Sequence, residues 1–208
     1  MVKDGWEAYQ SFQQTYPLLN SMITGSVIYT SADAASQLMT EKKIDKRKIK
    51  YTAGISPVYG LLTHWVVEGG EFIGKGVQNN PLVKSLSAIA LGNVLNGIFF
   101  SNNQIGEKNN YNLKDLVKNY SKILHDKTDT KKIKNTYKRF QEKFVENVPT
   151  KEFRECVAIS FPYWLTINMI NFSYTPEPMR TPVVMAAAFG WTCLLSLWSL
   201  KGRKKIKK

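Results

Sequence analysis

Residues Thr181 to Leu200 read TPVVMAAAFGWTCLLSLWSL, a run without a charged side chain, bounded by Arg180 before it and Lys201 after it. At 1.5 Å of rise per residue this run makes a helix about 30 Å long, the thickness of a bilayer's hydrocarbon core. A helix on the surface of a soluble domain turns a polar face to water, so charges interleave with its apolar stripe. None do here. Working outward, Cys156 to Pro176 and Ser85 to Gly106 are equally free of charge. Tyr51 to Val67 holds only His64, and Pro17 to Thr40 only Asp33.

The averages hide this pattern. A net charge of +13 and a mean hydropathy of -0.27 describe an ordinary basic globular domain. The charges nevertheless crowd into the gaps between five apolar stretches. The expected fold is therefore all-α, a multi-span transmembrane bundle of about five membrane helices forming a single domain over residues 1–208. Trp6, Tyr9, Phe12 and Tyr16 recur at helical spacing ahead of the first span, as suits an interfacial helix. An amphipathic hairpin is expected as an extramembrane insertion at residues 107–155. Leu113, Leu116, Val117, Tyr120, Ile123 and Leu124 mark its first helix, with Asn112 as N-cap. Ile133, Tyr137, Phe140, Phe144 and Val148 mark its second.

Loop charges test this topology. With five crossings, Glu41 to Lys50, the basic hairpin and the tail Lys201 to Lys208 share one side. The N-terminus, the near-neutral loop Glu68 to Lys84 and the turn Glu177 to Arg180 share the other, in keeping with the positive-inside bias. The basic segments border spans, so anionic lipid headgroups are the expected partner, at about 1 kcal/mol per Lys or Arg, and nucleic acid is not. Met1 to Tyr16 lacks a continuous apolar core and carries Asp4 and Glu7, so no signal peptide is expected and any organellar address is internal.

Polar groups inside the spans are costly in hydrocarbon and should face the bundle or a wet cavity. Ser26, Thr30, Asp33 and Gln37 fall on one face of the first span. His64 follows Gly54, Pro57 and Gly60 in the second, where Pro57 should kink the helix. In the third, Ala88, Gly92 and Asn96 recur every four residues beside Asn93 and Gly97, a small-residue packing seam. Trp164, Asn168 and Asn171 share a face of the fourth. The candidate intramembrane polar face, or pore, is Asp33, Gln37, His64, Asn93, Asn96, Asn168 and Asn171.

Catalytic motifs fail on inspection. Gly69, Gly74 and Lys75 mimic the start of a phosphate loop, but Gly76 stands where a magnesium-binding hydroxyl is needed and the preceding segment reads as helix. His64 and His125 have no metal-ligand spacing, and no nucleophile elbow is present. Cys156 and Cys193 fall within spans, as buried inert thiols rather than a disulfide. No enzyme activity, cofactor or metal is expected.

One set of residues carries a resemblance. Trp6, Tyr9, Pro17, Asp33 and Gln37 follow a W-x2-Y…P…D-x3-Q arrangement, and Gly54 and Trp65 match a glycine and a closing tryptophan in the second span. Trp164, Asn171, Phe172, Pro176 and Arg180 form W…NF-x3-P-x3-R, followed by Trp191, Leu195 and Ser196. In these the chain resembles the Mpv17/PMP22 family of small organellar membrane proteins. It departs at Ala32, Leu165 and Asn168, where the family has glycine, proline and glutamine, and in its longer hairpin. The resemblance implies residence in the mitochondrial inner membrane, or alternatively the peroxisomal membrane, and no catalysis. Two roles follow as expectations. The first is a structural accessory subunit with protein partners in a larger inner-membrane assembly such as a respiratory-chain complex. The alternative is a small-solute or ion channel, with Asp33 favouring cations.

Overall fold

A computed structural model describes residues 2–114, 118 and 150–206, and among these the chain is all-α. Its helices are α1 (Val2–Thr15), α2 (Pro17–Glu41), α3 (Lys46–Lys75), α4 (Pro81–Lys108), α5 (Thr150–Tyr174) and α6 (Arg180–Ile206), with a 3-10 turn at Glu177–Met179 before α6. Local chemistry sets the ends. Pro17 and Pro81 open α2 and α4 at the one place in a helix where a missing amide costs nothing. Asp45 caps α3 by accepting the Arg47 amide at 2.8 Å, and Asn80 caps α4 by accepting the Leu82 amide at 2.9 Å. Lys42 closes α2 in the left-handed conformation.

Each of the five apolar stretches falls on one long helix, the fourth running two residues past the end of α5 at Tyr174. The segment expected as a loop, Glu68 to Lys84, is corrected: α3 runs on to Lys75 and α4 starts at Pro81, leaving a five-residue turn, Gly76 to Asn80. The phosphate-loop lookalike therefore sits on a helix, its last glycine at the C-cap. The helix α3 also continues through Pro57. Asn112 Oδ1 accepts the Lys114 amide at 3.1 Å, as the expected cap requires, but most of the hairpin lies outside the described residues.

The five long helices pack as a ring, α2 on α3, α3 on α4, α4 on α5, α5 on α6 and α6 back on α2, with α3 also touching α6. The short helix α1 lies against α2 and the 3-10 turn. Backbones approach closely at Gly25 and Gly60. A Cβ on Gly60 would sit 2.1 Å from the Ser21 carbonyl oxygen, and one on Gly25 would sit 2.4 Å from the Gly60 Cα. Expected close packing along Ala88 and Gly92 is only half found. Ala88 meets Gly70, but a Cβ at Gly92 would meet nothing within 4 Å.

Among the described residues, buried polar side chains outnumber buried apolar ones, and large apolar side chains stand outward on all five long helices. Phe72 is 81% exposed and Val94 59% exposed, while Ser56, Gln37 and Asn171 are fully buried. Water would penalise such a surface; lipid requires it. By length and composition, one described helix, α4, is apolar enough to cross a membrane, and only 39% of its most apolar window is buried. The core helix of a soluble domain would be mostly covered. The other long helices carry more polar groups, and those are largely folded inward.

Candidate solute cavity and its flanking ion pairs

Three polar centres lie along the bundle. At the α2–α3 turn, the basic end, Asp33 Oδ1 pairs with Lys48 Nζ at 3.0 Å. Its Oδ2 accepts from Thr52 Oγ1 at 2.9 Å and from Gln37 Nε2 at 3.1 Å. Gln37 in turn accepts the Asp45 amide at 2.6 Å, tying this cluster to the cap of α3. All four side chains, Asp33, Gln37, Lys48 and Thr52, are buried. A carboxylate and an ammonium are tolerated there because each is paired and hydrogen-bonded.

At the opposite end Glu71 is gripped twice. Lys84 Nζ lies 2.8 Å from its Oε2, and the Arg180 guanidinium meets its Oε1. The Phe172 ring lies 5.9 Å from Lys84 Nζ and 5.8 Å from Arg180 Cζ, both within cation–π range. Gly74 makes room for the lysine, since a Cβ there would sit 2.1 Å from Lys84 Cγ. Arg180 also donates from Nε to the Thr175 carbonyl at 3.1 Å, and its own carbonyl accepts from Asn171 Nδ2 at 3.1 Å. Asn171 Oδ1 is buried with no hydrogen-bond partner among the described residues. Sequence reasoning missed Glu71 and Lys84, which it assigned to a loop. On the rim of this end Lys75 Nζ donates to Glu177 Oε1 at 2.7 Å, which holds the Glu177 carboxyl below, and the Lys75 ammonium above, their usual ranges.

Between the two ion-pair clusters is a cavity of about 50 Å³ to which all five long helices contribute. Tyr29 comes from α2, Thr63 from α3, Asn96 from α4, Asn168 from α5, and Trp191 and Thr192 from α6. Tyr29 and Thr63 share a 2.6 Å hydrogen bond, and Trp191 Nε1 donates to Asn96 Oδ1 at 3.0 Å. Toward the basic end an aromatic layer closes it. Phe99 lies 5.9 Å from Tyr59 and 6.3 Å from Phe100, and Phe100 lies 6.3 Å from Phe153. Toward the other end a polar vestibule of about 230 Å³ is lined by Gln13, Pro17, His64, Glu68, Glu177 and Thr181, among others. Cavity and vestibule share α3 and α6, with Thr63 next to His64 and Val184 one turn from Thr181.

The seven candidate pore residues thus do not line one continuous path. Asn96 and Asn168 reach the cavity, and Asn93 stands behind it, its Oδ1 accepting from Ser160 Oγ at 3.1 Å. His64 is in the vestibule, within 3.4 Å of Thr181. Asp33 and Gln37 belong to the basic-end cluster, and Asn171 to the opposite one. Of the aromatic and motif residues, Trp164 and Trp191 form cavity wall, Pro17 opens α2, and Phe172 and Arg180 build the Glu71 centre. Trp6 stacks on Tyr9 in α1, Trp65 is half-exposed on α3, and Gly54 accepts the Leu113 side chain. Pro176 is the N-cap of the 3-10 turn. No cluster of three or more metal-binding side chains occurs among the described residues. Cys156 and Cys193 are free and buried, the latter donating from Sγ to the Ala32 carbonyl at 3.5 Å.

Comparison with known proteins finds no match among curated proteins and none among solved structures. Residues 130–196, which include α5, the Arg180 centre and the Trp191 wall, match the Mpv17 / PMP22 family, whose members are organellar membrane proteins.

Proposed function

We propose that the chain crosses an organellar membrane five times, through α2 to α6, and conducts small solutes along the bundle axis. Helix geometry supports the five crossings. Lys48 and Glu71 on α3 are about 35 Å apart at 1.5 Å per residue, as are Lys84 and Glu107 on α4. Arg180 and Lys201 on α6 stand about 32 Å apart. Three helices therefore place their charges on two planes whose separation suits a hydrocarbon core of about 30 Å. The observation that carries conduction is the cavity: every spanning helix contributes to it, and a vestibule approaches it from the near-neutral side within one helical turn.

The accessory-subunit role has no comparable support. Among the described residues the exposed large apolar side chains are spread over all five long helices. The match of residues 130–196 to the Mpv17 / PMP22 family favours a mitochondrial or peroxisomal membrane. Purified full-length protein reconstituted in liposomes tests conduction directly: small solutes should equilibrate faster than in protein-free vesicles, and equal rates would remove this reading. Anionic phospholipid at the Lys42 to Lys50 turn should hold the basic side, which flotation with phosphatidylserine-containing against neutral vesicles would register.

A further inference from the structure

The cavity carries more information than its volume. No side chain that is charged at neutral pH lines it, and the buried charges among the described residues are confined to the two ion-pair clusters. Its walls are aromatic and aliphatic, with a few hydrogen-bonding groups set into them. Most of these are already engaged, as in the Tyr29–Thr63 and Trp191–Asn96 pairs. Two are not. The Asn168 and Thr192 side chains are 4% and 2% exposed, both line the cavity, and no hydrogen bond joins either to another described side chain. A carboxamide set in an apolar wall gains from a hydrogen-bonding partner, so a group that fills the cavity and answers it is favoured.

Charge decides what that group is. An ion brought into such a site loses its hydration with no counter-charge to replace it, at a cost of several kcal/mol after relaxation. A neutral molecule with both a donor and an acceptor satisfies Asn168 and Thr192 and lays its apolar surface on Trp164 and Trp191. At roughly 10–15 Å³ per water-sized group, the cavity takes three to five such groups. We propose that this cavity is a binding site for small uncharged hydrogen-bonding solutes of the primary-amide or short-polyol class, and that Asn168 selects them over ions. The proposal builds on the conducting role for its physiological meaning, but occupancy of the site is measured separately from flux.

Acrylamide, a neutral primary amide of comparable size, is also a quencher of tryptophan emission, whereas iodide and caesium are charged quenchers. Replacing Trp6, Trp65 and Trp198 by Phe leaves Trp164 and Trp191, both in the cavity wall, as the only reporters. In liposome-reconstituted full-length protein, acrylamide should quench them at least several-fold more effectively than either ion. Asn168→Leu should cut acrylamide quenching several-fold, and Gly92→Leu, which fills cavity space without removing a polar group, should do the same. Asn168→Ser should retain most of it. Equal quenching by iodide or caesium, or acrylamide quenching unaffected by both leucine variants, would overturn the inference. Selective quenching without liposome flux would keep the site and discard conduction, while flux without amide selectivity would do the reverse.

Discussion

Removing the Glu71 carboxylate would leave Lys84 and Arg180 facing one another across Phe172 with no anion between them. Breaking a buried pair in this way costs about 3–5 kcal/mol. The variant Glu71→Gln should therefore unfold at markedly lower temperature in detergent, and a midpoint equal to wild type would show that water reaches this centre. Asp33 offers the complementary case. Asp33→Asn strands a buried Lys48 and should destabilise, whereas Asp33→Asn with Lys48→Met should recover most of the loss, because the uncompensated charge is gone. Glu177 behaves differently, as it and Lys75 are 55% and 56% exposed. The hydrogen bond from Lys75 holds the Glu177 carboxyl below its usual range. Its stabilising effect is thus complete above the ordinary carboxylate pKa of about 4.3 and fades as pH falls through the lower folded value. Solvent screens such a pair. Glu177→Gln should shift the unfolding midpoint slightly at neutral pH and not at all in strong acid, a comparison that thermal melts at both pH values would check.

At the scale of helices, the contact that fixes α2 against α3 is the Gly25–Gly60 crossing. Gly60→Ala would drive a methyl into the Ser21 carbonyl, which belongs to backbone and cannot rotate aside. The helices must separate, and the Tyr29–Thr63 bond across the same interface should lengthen or break. Loss of a single sharp elution peak would register this; a well-folded Gly60→Ala protein would show that the crossing is less tight than described. The small residues at Gly54 and Gly60 were visible in the sequence, as were all five long helices, because a run without charge is a property of composition alone. Helix ends were less legible. Reading each charge as a border stopped α3 near Val67 and began the third span at Ser85, yet Glu71 and Lys84 continue their helices because each neutralises the other. The pairing depends on how α3 and α4 meet, which a single chain pattern does not reveal. The cavity was legible only in part. Asn96 and Asn168 stood out as polar groups inside apolar runs, but Thr192 and Gly92 acquire their roles only when α4, α5 and α6 are packed together.

The molecule as a whole is asymmetric about its cavity. A polar vestibule approaches from the near-neutral side, while the aromatic layer of Tyr59, Phe99, Phe100 and Phe153 stands between the cavity and the basic side. Passage through a closed bundle is limited by the narrowest dry layer, so resistance should reside in these rings rather than in the charged clusters, whose side chains are committed to one another. Phe99 belongs both to the cavity wall and to the aromatic layer, which makes it the informative position. Truncating it to alanine should raise solute flux in reconstituted liposomes severalfold, and truncating it to leucine should raise it less. Because Phe→Ala in a packed core costs about 3–5 kcal/mol, the leucine variant separates a wider path from a damaged fold. Graded flux with unchanged elution would locate the barrier at the aromatic layer. If both variants fold and neither alters flux, the barrier lies elsewhere, and the Tyr29–Thr63 bond on the vestibule side becomes the next constriction to open.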